Sequence, residues 1–380
     1  MTGEYLEAMN YKRLLEASLH ASVYETHHVF RSSPTKHHNI SSMSRYAQVH
    51  INPQGPGDAR PTALQIVKDE GLLNKLTDKV VLITGGNQGI GLETARALHA
   101  TGATVYITAR TPEKIEQGIK DIVSWSEAKS DAPVHGIELR LDSFKSVRAA
   151  VKDFLAKVGK LNILILNAGV MATPEGKTED GFETQFGTNH LGHFLLFQLL
   201  KPALLAATTP SFQSRVISLA SKGHRAGDIR WDDYNFEKDA YNPWLAYAQS
   251  KTANIYFASE LDRRYANQGI HGLSVHPGYI LTNLGKYIDL STIDLDGPIK
   301  NALRNKAQGA ATTVYAAVSQ DWEGRGGKYL ADFVEEQLVG PGVEPTSPEL
   351  GHAAWIYDEE AERKLWELSE RLVGLHTSQE

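Results

Sequence analysis

Apolar positions along this chain come in short blocks separated by longer stretches of helical spacing. The first block, 79–84 (KVVLIT), is mostly β-branched, the composition of a strand buried on both faces. Good helix formers with helical spacing follow at 89–100. The alternation continues, predicting strands at 103–108, 137–141, 161–166, 215–219, 271–276 and 328–330. Helices are predicted over 112–128, 143–158, about 182–206, 244–267, 306–319 and 358–373. Thr111 is placed to cap the second of the helices and Pro112 suits its first turn. Ahead of the series, 51–62 is rich in Pro and Gly and predicts no regular structure, whereas 62–76 predicts a short helix capped by Thr62. An insert at 222–243 and an irregular stretch at 277–305 interrupt it. The pattern is that of a three-layer, doubly wound α/β fold with a central parallel sheet of about seven strands, whose ligands bind beyond the carboxyl ends of the strands.

Composition narrows the function classes. The 380 residues are 41% hydrophobic with a formal charge of -6, which gives no electrostatic footprint for nucleic acid or an anionic membrane surface. Without cysteine there is no disulfide, thiolate metal site or cysteine nucleophile. No apolar run approaches the roughly 20 residues of a membrane span and no signal-peptide core is visible, so the expected location is cytoplasmic. Residues 1–42 are polar and histidine-rich and read as a flexible extension, 43–78 as a leader packed on the core, and 79–375 as the main domain. Met43 is an alternative translation start. His27, His28, His37 and His38 lack a carboxylate pattern, and adjacent histidines point to different sides of a regular element, so no metal site is expected.

Candidate chemistry starts where the first strand meets its helix. Gly85, Gly86, Gly89 and Gly91 lie there, with Asn87, Gln88 and Ile90 in the same turn. Glycine permits positive φ and close approach of backbone to a pyrophosphate, and the helix N-terminus offers unpaired N–H groups. The second strand ends at Thr108, Ala109 and Arg110, with no acid to read a ribose hydroxyl and an arginine suited to a 2'-phosphate, which predicts NADP. Tyr247 and Lys251 stand four apart on one helix face. The ammonium, with a cationic nicotinamide, is expected to lower the phenol pKa from near 10 and make it a general acid and base. Ser221 ends the fifth strand and Asn167, Ala168 and Gly169 the fourth, all at the sheet's carboxyl edge. Asn189 falls mid-helix, where asparagine is a mediocre helix former. Trp231, Tyr234, Phe236, Tyr241 and Trp244 either wall a pocket for a lipophilic carbonyl compound or pack the insert onto the core. His224 and His276 read as structural.

With these motifs in this order, residues 79–330 resemble the short-chain dehydrogenase/reductase family, whose domain is a Rossmann fold. The resemblance rests on Thr84-Gly85-x-x-x-Gly89-Ile90-Gly91, Asp142, Asn167-Ala168-Gly169, Asn189, Ser221, Tyr247, Lys251, His276-Pro277-Gly278 and Thr282. It implies a tetrad. Tyr247 exchanges the hydroxyl proton, Lys251 depresses its pKa and holds the nicotinamide ribose, Ser221 polarises the carbonyl, and Asn189 anchors a water relay. It further implies that Asp142 meets adenine, that Asn167 and Gly169 meet the ribose region, and that Pro277, Gly278 and Thr282 meet the nicotinamide or pyrophosphate end. The stretches GTNHLGHFLLFQLL and LAYAQSKTANIYFASELDRRY are similar to the retinol dehydrogenase and WW-domain oxidoreductase branch, and NPQGPGDARPTALQIVKDEG to fungal members, several of them in secondary metabolism. Ala220 departs from the second serine common in that branch. The expected activity is NADP-dependent interconversion of a carbonyl and an alcohol on a lipophilic small molecule, with pairing into a homodimer through the two long helices. A silent nucleotide-binding regulator and a sugar-nucleotide epimerase or dehydratase are the alternatives; the glycine spacing and the intact tetrad speak against them.

Overall fold

The computed structural model describes residues 44–289, 297, 299–343, 347 and 351–375, and the extension 1–42 lies outside them. The strands are β1 (Val80–Ile83), β2 (Thr104–Ala109), β3 (Val134–Glu138), β4 (Ile163–Leu166), β5 (Ser214–Leu219), β6 (Ile270–Val275), β7 (Tyr279–Ile280), β8 (Leu303–Arg304), β9 (Lys328–Ala331) and β10 (Val334–Glu335). The helices are α1 (Ala63–Asp69), α2 (Gly89–His99), α3 (Pro112–Val123), α4 (Phe144–Lys157), α5 (Gly192–Ala207), α6 (Pro243–Tyr265), α7 (Lys306–Gly309), α8 (Ala311–Val318) and α9 (Glu359–Leu372).

Eight strands form one sheet in the order β3-β2-β1-β4-β5-β6-β9-β10, parallel throughout except for β10. Because successive side chains leave a strand on opposite faces, the central strands feed two cores. Val80, Leu82, Leu164 and Leu166 join α4, α5, α6 and α9 on one side. Val81, Ile83, Ile163 and Ile165 join α1, α2 and α8 on the other. The winding reverses between β1 and β4, where a crevice opens at their carboxyl ends.

Several boundaries differ from the sequence expectation, each for a local reason. The sheet has eight strands rather than about seven because the two-residue β10 turns back on β9, too short to show as an apolar block. The third strand is Val134–Glu138, not 137–141. Gly136 looks like a strand breaker, but a Cβ there would lie 1.9 Å from Ile115 Cγ2, so α3 rests on the bare backbone. Within 277–305, β7 and β8 pair in parallel as Tyr279 with Leu303 and Ile280 with Arg304. The helix expected over 182–206 is a turn at Thr184–Phe186, a π-helical turn at Gly187–Leu191, and α5.

That helical stretch, Thr184–Ala207, is long and apolar enough to cross a membrane by length and composition, which the sequence reading missed. Two-thirds of its apolar window, 67%, is buried inside the protein, the signature of a core helix. Much of the cover comes from α9. Trp366 stacks on Phe257 at 5.9 Å and meets Phe194 edge-on at 5.0 Å, His190 Nε2 lies 2.7 Å from Ser369 Oγ, and Arg263 donates to the buried Glu362 at 2.5 Å. Pairing of two chains through the faces of α5 and α6 that α9 occupies would require α9 to leave.

Candidate functional site

The glycine turn is built to be thin. Gly85 and Gly89 have φ of +66° and +60°, which L side chains rarely adopt. A Cβ on Gly91 would lie 2.3 Å from Gly85 O and 2.5 Å from Asn167 Nδ2. Asn167 in turn donates from Nδ2 to Thr84 O at 2.8 Å, so the end of β4 holds the turn after β1. On its other flank, Asn87 packs against Gly118 of α3, where a Cβ would lie 2.9 Å from its Cα. Gln88 is the N-cap of α2 but supplies no side-chain cap; its Oε1 accepts from Asn283 Nδ2 at 3.1 Å instead. The caps of α1, α4, α6 and α9 accept from first-turn N–H groups, whereas Thr111, expected to cap α3, makes no such bond. The first turn of α2 is thus left to an outside acceptor, and the donor set fits a cofactor pyrophosphate. Thr282 belongs here too, its methyl 3.8 Å from a Cβ placed on Gly89.

Arg110 directly follows β2, and Asp142 lies four residues past the end of β3. Arg110 is exposed and makes no hydrogen bond or ion pair among the described residues. Asp142 lies 3.4 Å from Arg140 Nε.

Ser221, Tyr247, Lys251 and Asn189 come together beyond β4 and β5. Ser221 Oγ accepts from Gly223 N at 3.0 Å and stands close enough to the Tyr247 phenol to favour its ionised form. Gly223 allows that approach: a Cβ there would lie 2.9 Å from Tyr247 Cε1, so the ring lies flat on bare backbone. Lys251 Nζ donates to Leu219 O at 2.8 Å and sits 5.6 Å from the centre of the Tyr247 ring. Gly169 packs closely between them, with a Cβ position 3.1 Å from Asn189 Oδ1 and 3.8 Å from Lys251 Nζ. The expected lowering of the phenol combined the lysine charge with that of a bound nicotinamide. In the protein alone, burial pushes the Tyr247 phenol up to about 12, against a lowering by Ser221, and pushes Lys251 down to about 7, because desolvation disfavours both charged forms.

Asn189 explains its mid-helix position. Its Oδ1 accepts from Val170 N at 2.8 Å, and its Nδ2 donates to Val170 O at 2.9 Å and Ser250 Oγ at 3.0 Å. Asn189 lies in a π turn, a feature often found at functional sites, and its backbone O accepts from His193 Nδ1 at 2.9 Å. That contact fixes the tautomer, since a carbonyl only accepts. Nε2 is therefore bare and receives the Thr84 hydroxyl proton at 2.9 Å, while Thr84 Oγ1 accepts from Asn167 N at 2.9 Å and Ala168 N at 3.0 Å. Ser250 Oγ completes the network by donating to Tyr247 O at 2.8 Å. One buried chain of hydrogen bonds thus runs from the glycine turn to the tyrosine's own backbone. The sequence reading missed His193, Ser250 and Gly223; the i, i+4 spacing of Asn189 and His193 was the available signal.

His193 titrates at about 4, held down by burial first and then by the Lys251 charge, and only partly offset by its bond to Asn189 O. Between its ordinary 6.5 and about 4 the unfolded chain binds the proton and the folded one refuses it, so stability falls as pH falls. From pH 7 to 5 this one group should remove about 2 kcal/mol. Urea unfolding of the wild type and of His193→Gln at both pH values is expected to show a steeper acid loss in the wild type by about that amount; parallel losses would refute the neutral assignment.

His224 and His276 are buried structural groups, as read: His224 Nε2 accepts from Ala353 N at 3.1 Å and His276 Nδ1 from Lys222 N at 3.3 Å. Most of the insert's rings pack rather than wall a pocket. Phe236 is buried, Trp231 and Tyr234 rest on the core, and Tyr241 OH lies 3.0 Å from Gln185 Nε2. Trp244 remains 40% exposed beside Leu245 at the start of α6, two turns short of Lys251.

The chain was compared with known proteins. The sequence model of a family described as short chain dehydrogenase matches residues 79–291. The short-chain dehydrogenase/reductase prx1 of Penicillium roqueforti is 44% identical over 90% of this chain and 99% of its own length. Retinol dehydrogenase 14 of Homo sapiens is 38% identical over 81% of this chain and 89% of its own. Among solved structures, a protein of Mycobacterium paratuberculosis superposes with a TM-score of 0.60 at 34% identity, covering 80% of this chain and 97% of that one.

Proposed function

The chain belongs to the short-chain dehydrogenase family, oxidoreductases that work with nicotinamide cofactors, and from that premise we propose that it reduces a carbonyl group on a lipophilic small molecule with NADPH. The observation that carries this reading is the half-buried Ser221 next to the buried Tyr247 and Lys251, at the mouth of a crevice whose other wall is the uncapped start of α2. The residues that would hold the cofactor are Gly85, Asn87, Gln88, Gly89, Ile90 and Gly91 at the pyrophosphate, Arg110 and Asp142 at the adenosine, Asn167, Ala168, Gly169, Tyr247 and Lys251 at the riboses, and Pro277, Gly278 and Thr282 at the nicotinamide end. When bound, the nicotinamide supplies the hydride.

The chain's own part is to bind, orient and protonate. Ser221 Oγ donates a hydrogen bond to the substrate oxygen, and the Tyr247 phenol passes its proton to that oxygen as negative charge develops there. A phenol pushed up to about 12 is fully protonated at neutral pH, which suits a proton donor and supports the direction from carbonyl to alcohol. Lys251, close to neutrality at about 7, gains its charge most readily when an anionic tyrosinate forms beside it. Trp244 and Leu245 at the start of α6, two turns before Lys251, and Leu281 next to Thr282 are exposed, which supports a lipophilic substrate.

The preference for NADPH rests on Arg110, exposed, without a partner among the described residues, and following a strand end, Thr108-Ala109, that carries no acid. Steady-state kcat/KM with both reduced cofactors tests it. The wild type is expected to favour NADPH by about tenfold or more, and Arg110→Glu to reverse that order, since a charge-assisted fork to a phosphate is worth about 1.5–3 kcal/mol. A wild-type preference for NADH would overturn the assignment.

A further inference from the structure

The leader contains a side chain that the proposed chemistry leaves without a purpose. Arg60 is 3% exposed, yet its guanidinium faces four backbone carbonyls. It donates to Gly55 O at 3.0 Å, Asn301 O at 3.2 Å, Ala302 O at 3.0 Å and Leu303 O at 2.6 Å, with Nε on Asp58 at 2.8 Å. Gln308 closes the arrangement from the other side, donating to Asp58 O at 3.2 Å and Arg60 O at 3.1 Å and accepting from Gly57 N at 2.9 Å. A buried fork that satisfies so many acceptors fixes the backbone at 301–303, which leads directly into β8.

From β8 the contacts run toward the crevice. β8 pairs with β7, and β7 begins one residue after Gly278. Arg304 of β8 is buried, donates from Nη1 to Pro277 O at 3.4 Å, and underlies Gly278 so tightly that a Cβ there would lie 2.7 Å from its Nε. Gly278 has φ of +99°, so the turn is at once strained for other residues and pressed against a cation. Arg304 is held by Asp332, with His50 Nδ1 of the leader 3.3 Å from Asp332 Oδ2. Asp332 and Phe333 occupy the tight turn between β9 and β10 with φ of +50° and +68°, a conformation that persists for non-glycine residues only when the surroundings impose it. Here the leader imposes it, since Phe333 packs on Tyr46 at 4.8 Å and on His50 at 5.3 Å.

We propose that the leader is a brace for the Pro277–Gly278 turn, with Arg60 and Arg304 as positioning residues that set how the nicotinamide end of the cofactor meets the carbonyl substrate. The inference rests on the reading above, in which that turn contacts the nicotinamide end. Neither arginine touches substrate in this account; each acts through the backbone it holds. A displacement of about 1 Å at a reacting centre can lower turnover by about a hundredfold, so a brace distant from the chemistry has leverage on rate.

The test uses the full chain and the variants Arg60→Gln and Arg304→Gln, at a temperature where circular dichroism shows each folded. Reduced-nicotinamide fluorescence gives the Kd for NADPH, and steady-state turnover of a model ketone gives kcat, KM and the primary isotope effect with 4-deuterated cofactor. The expected result is a loss of about tenfold in kcat, a rise of about fivefold in Kd, and a larger isotope effect, because misplacement slows the chemical step. Values within twofold of wild type, alongside a lowered Tm, would overturn the proposal and leave the leader as a stabilising segment only. If Arg304→Gln does not fold, Arg60→Gln decides alone, since Arg60 touches neither the turn nor the eight-stranded sheet. If the wild type turns over no carbonyl, the functional reading fails while the Kd comparison still tests the brace.

Discussion

Tyr247→Phe is expected to reduce turnover by about a thousandfold while leaving the Kd for NADPH within about twofold of wild type. The substitution removes one oxygen from a residue that is 5% exposed and keeps the ring that rests on Gly223. What disappears is the proton donor and the partner of Ser221. Among the described residues its neighbours are poorly placed to replace it: Lys251 Nζ donates one N–H to Leu219 O at 2.8 Å and lies 5.6 Å from the ring centre, and His193 spends its only proton on Asn189 O at 2.9 Å. Single-turnover kinetics separate the two quantities, and retained turnover with normal binding would remove Tyr247 from the chemistry.

The second large effect is expected at Gly91. An alanine Cβ would meet Gly85 O at 2.3 Å, and that oxygen belongs to a backbone whose own φ of +66° leaves no easy retreat. Asn167 Nδ2, at 2.5 Å from the same position, would lose its grip on the turn. Overpacking of this kind costs about 1–3 kcal/mol, and it falls on the phosphate cradle itself, so Gly91→Ala should weaken cofactor binding by about a hundredfold and lower the Tm. Gly159→Ala provides the control, as a Cβ there meets nothing within 4 Å. Equal cofactor affinity in the two variants would contradict the assignment of this turn.

Much of the fold and the site was legible before any coordinates, and the reasons are physical. Strands buried on both faces must be apolar over their whole length, so β1, β4 and β5 announce themselves; β10, two residues on an edge, has no such obligation. Gly136 misled because sequence shows a missing side chain but not Ile115 occupying its place. The glycine turn, Asn167–Gly169 and Ser221 follow strand ends, where the alternation of elements puts them in one crevice by topology, and Asn189, Tyr247 and Lys251 reach it from helices. Their protonation was not legible. A lysine four residues from a tyrosine suggests a depressed phenol pKa, yet both groups prove buried and desolvation outweighs their attraction. The hydrogen-bonded chain through His193 was hidden for a different reason. It joins residues far apart in sequence, from the ends of β1 and β4, the π turn, α5 and α6. The role of α9 was likewise invisible, because an amphipathic helix shows that it has an apolar face but not which surface receives it.

The stoichiometry of NADPH oxidised to alcohol formed, with the purified chain offered a panel of lipophilic ketones, aldehydes and quinones, tests the proposed reaction most directly. At least one carbonyl compound is expected to be consumed with one alcohol produced for each NADPH lost, and Tyr247→Phe to abolish both signals together. Tight NADPH binding with no oxidation by any member of the panel would contradict the proposal and identify the chain as a nucleotide-binding protein without this chemistry.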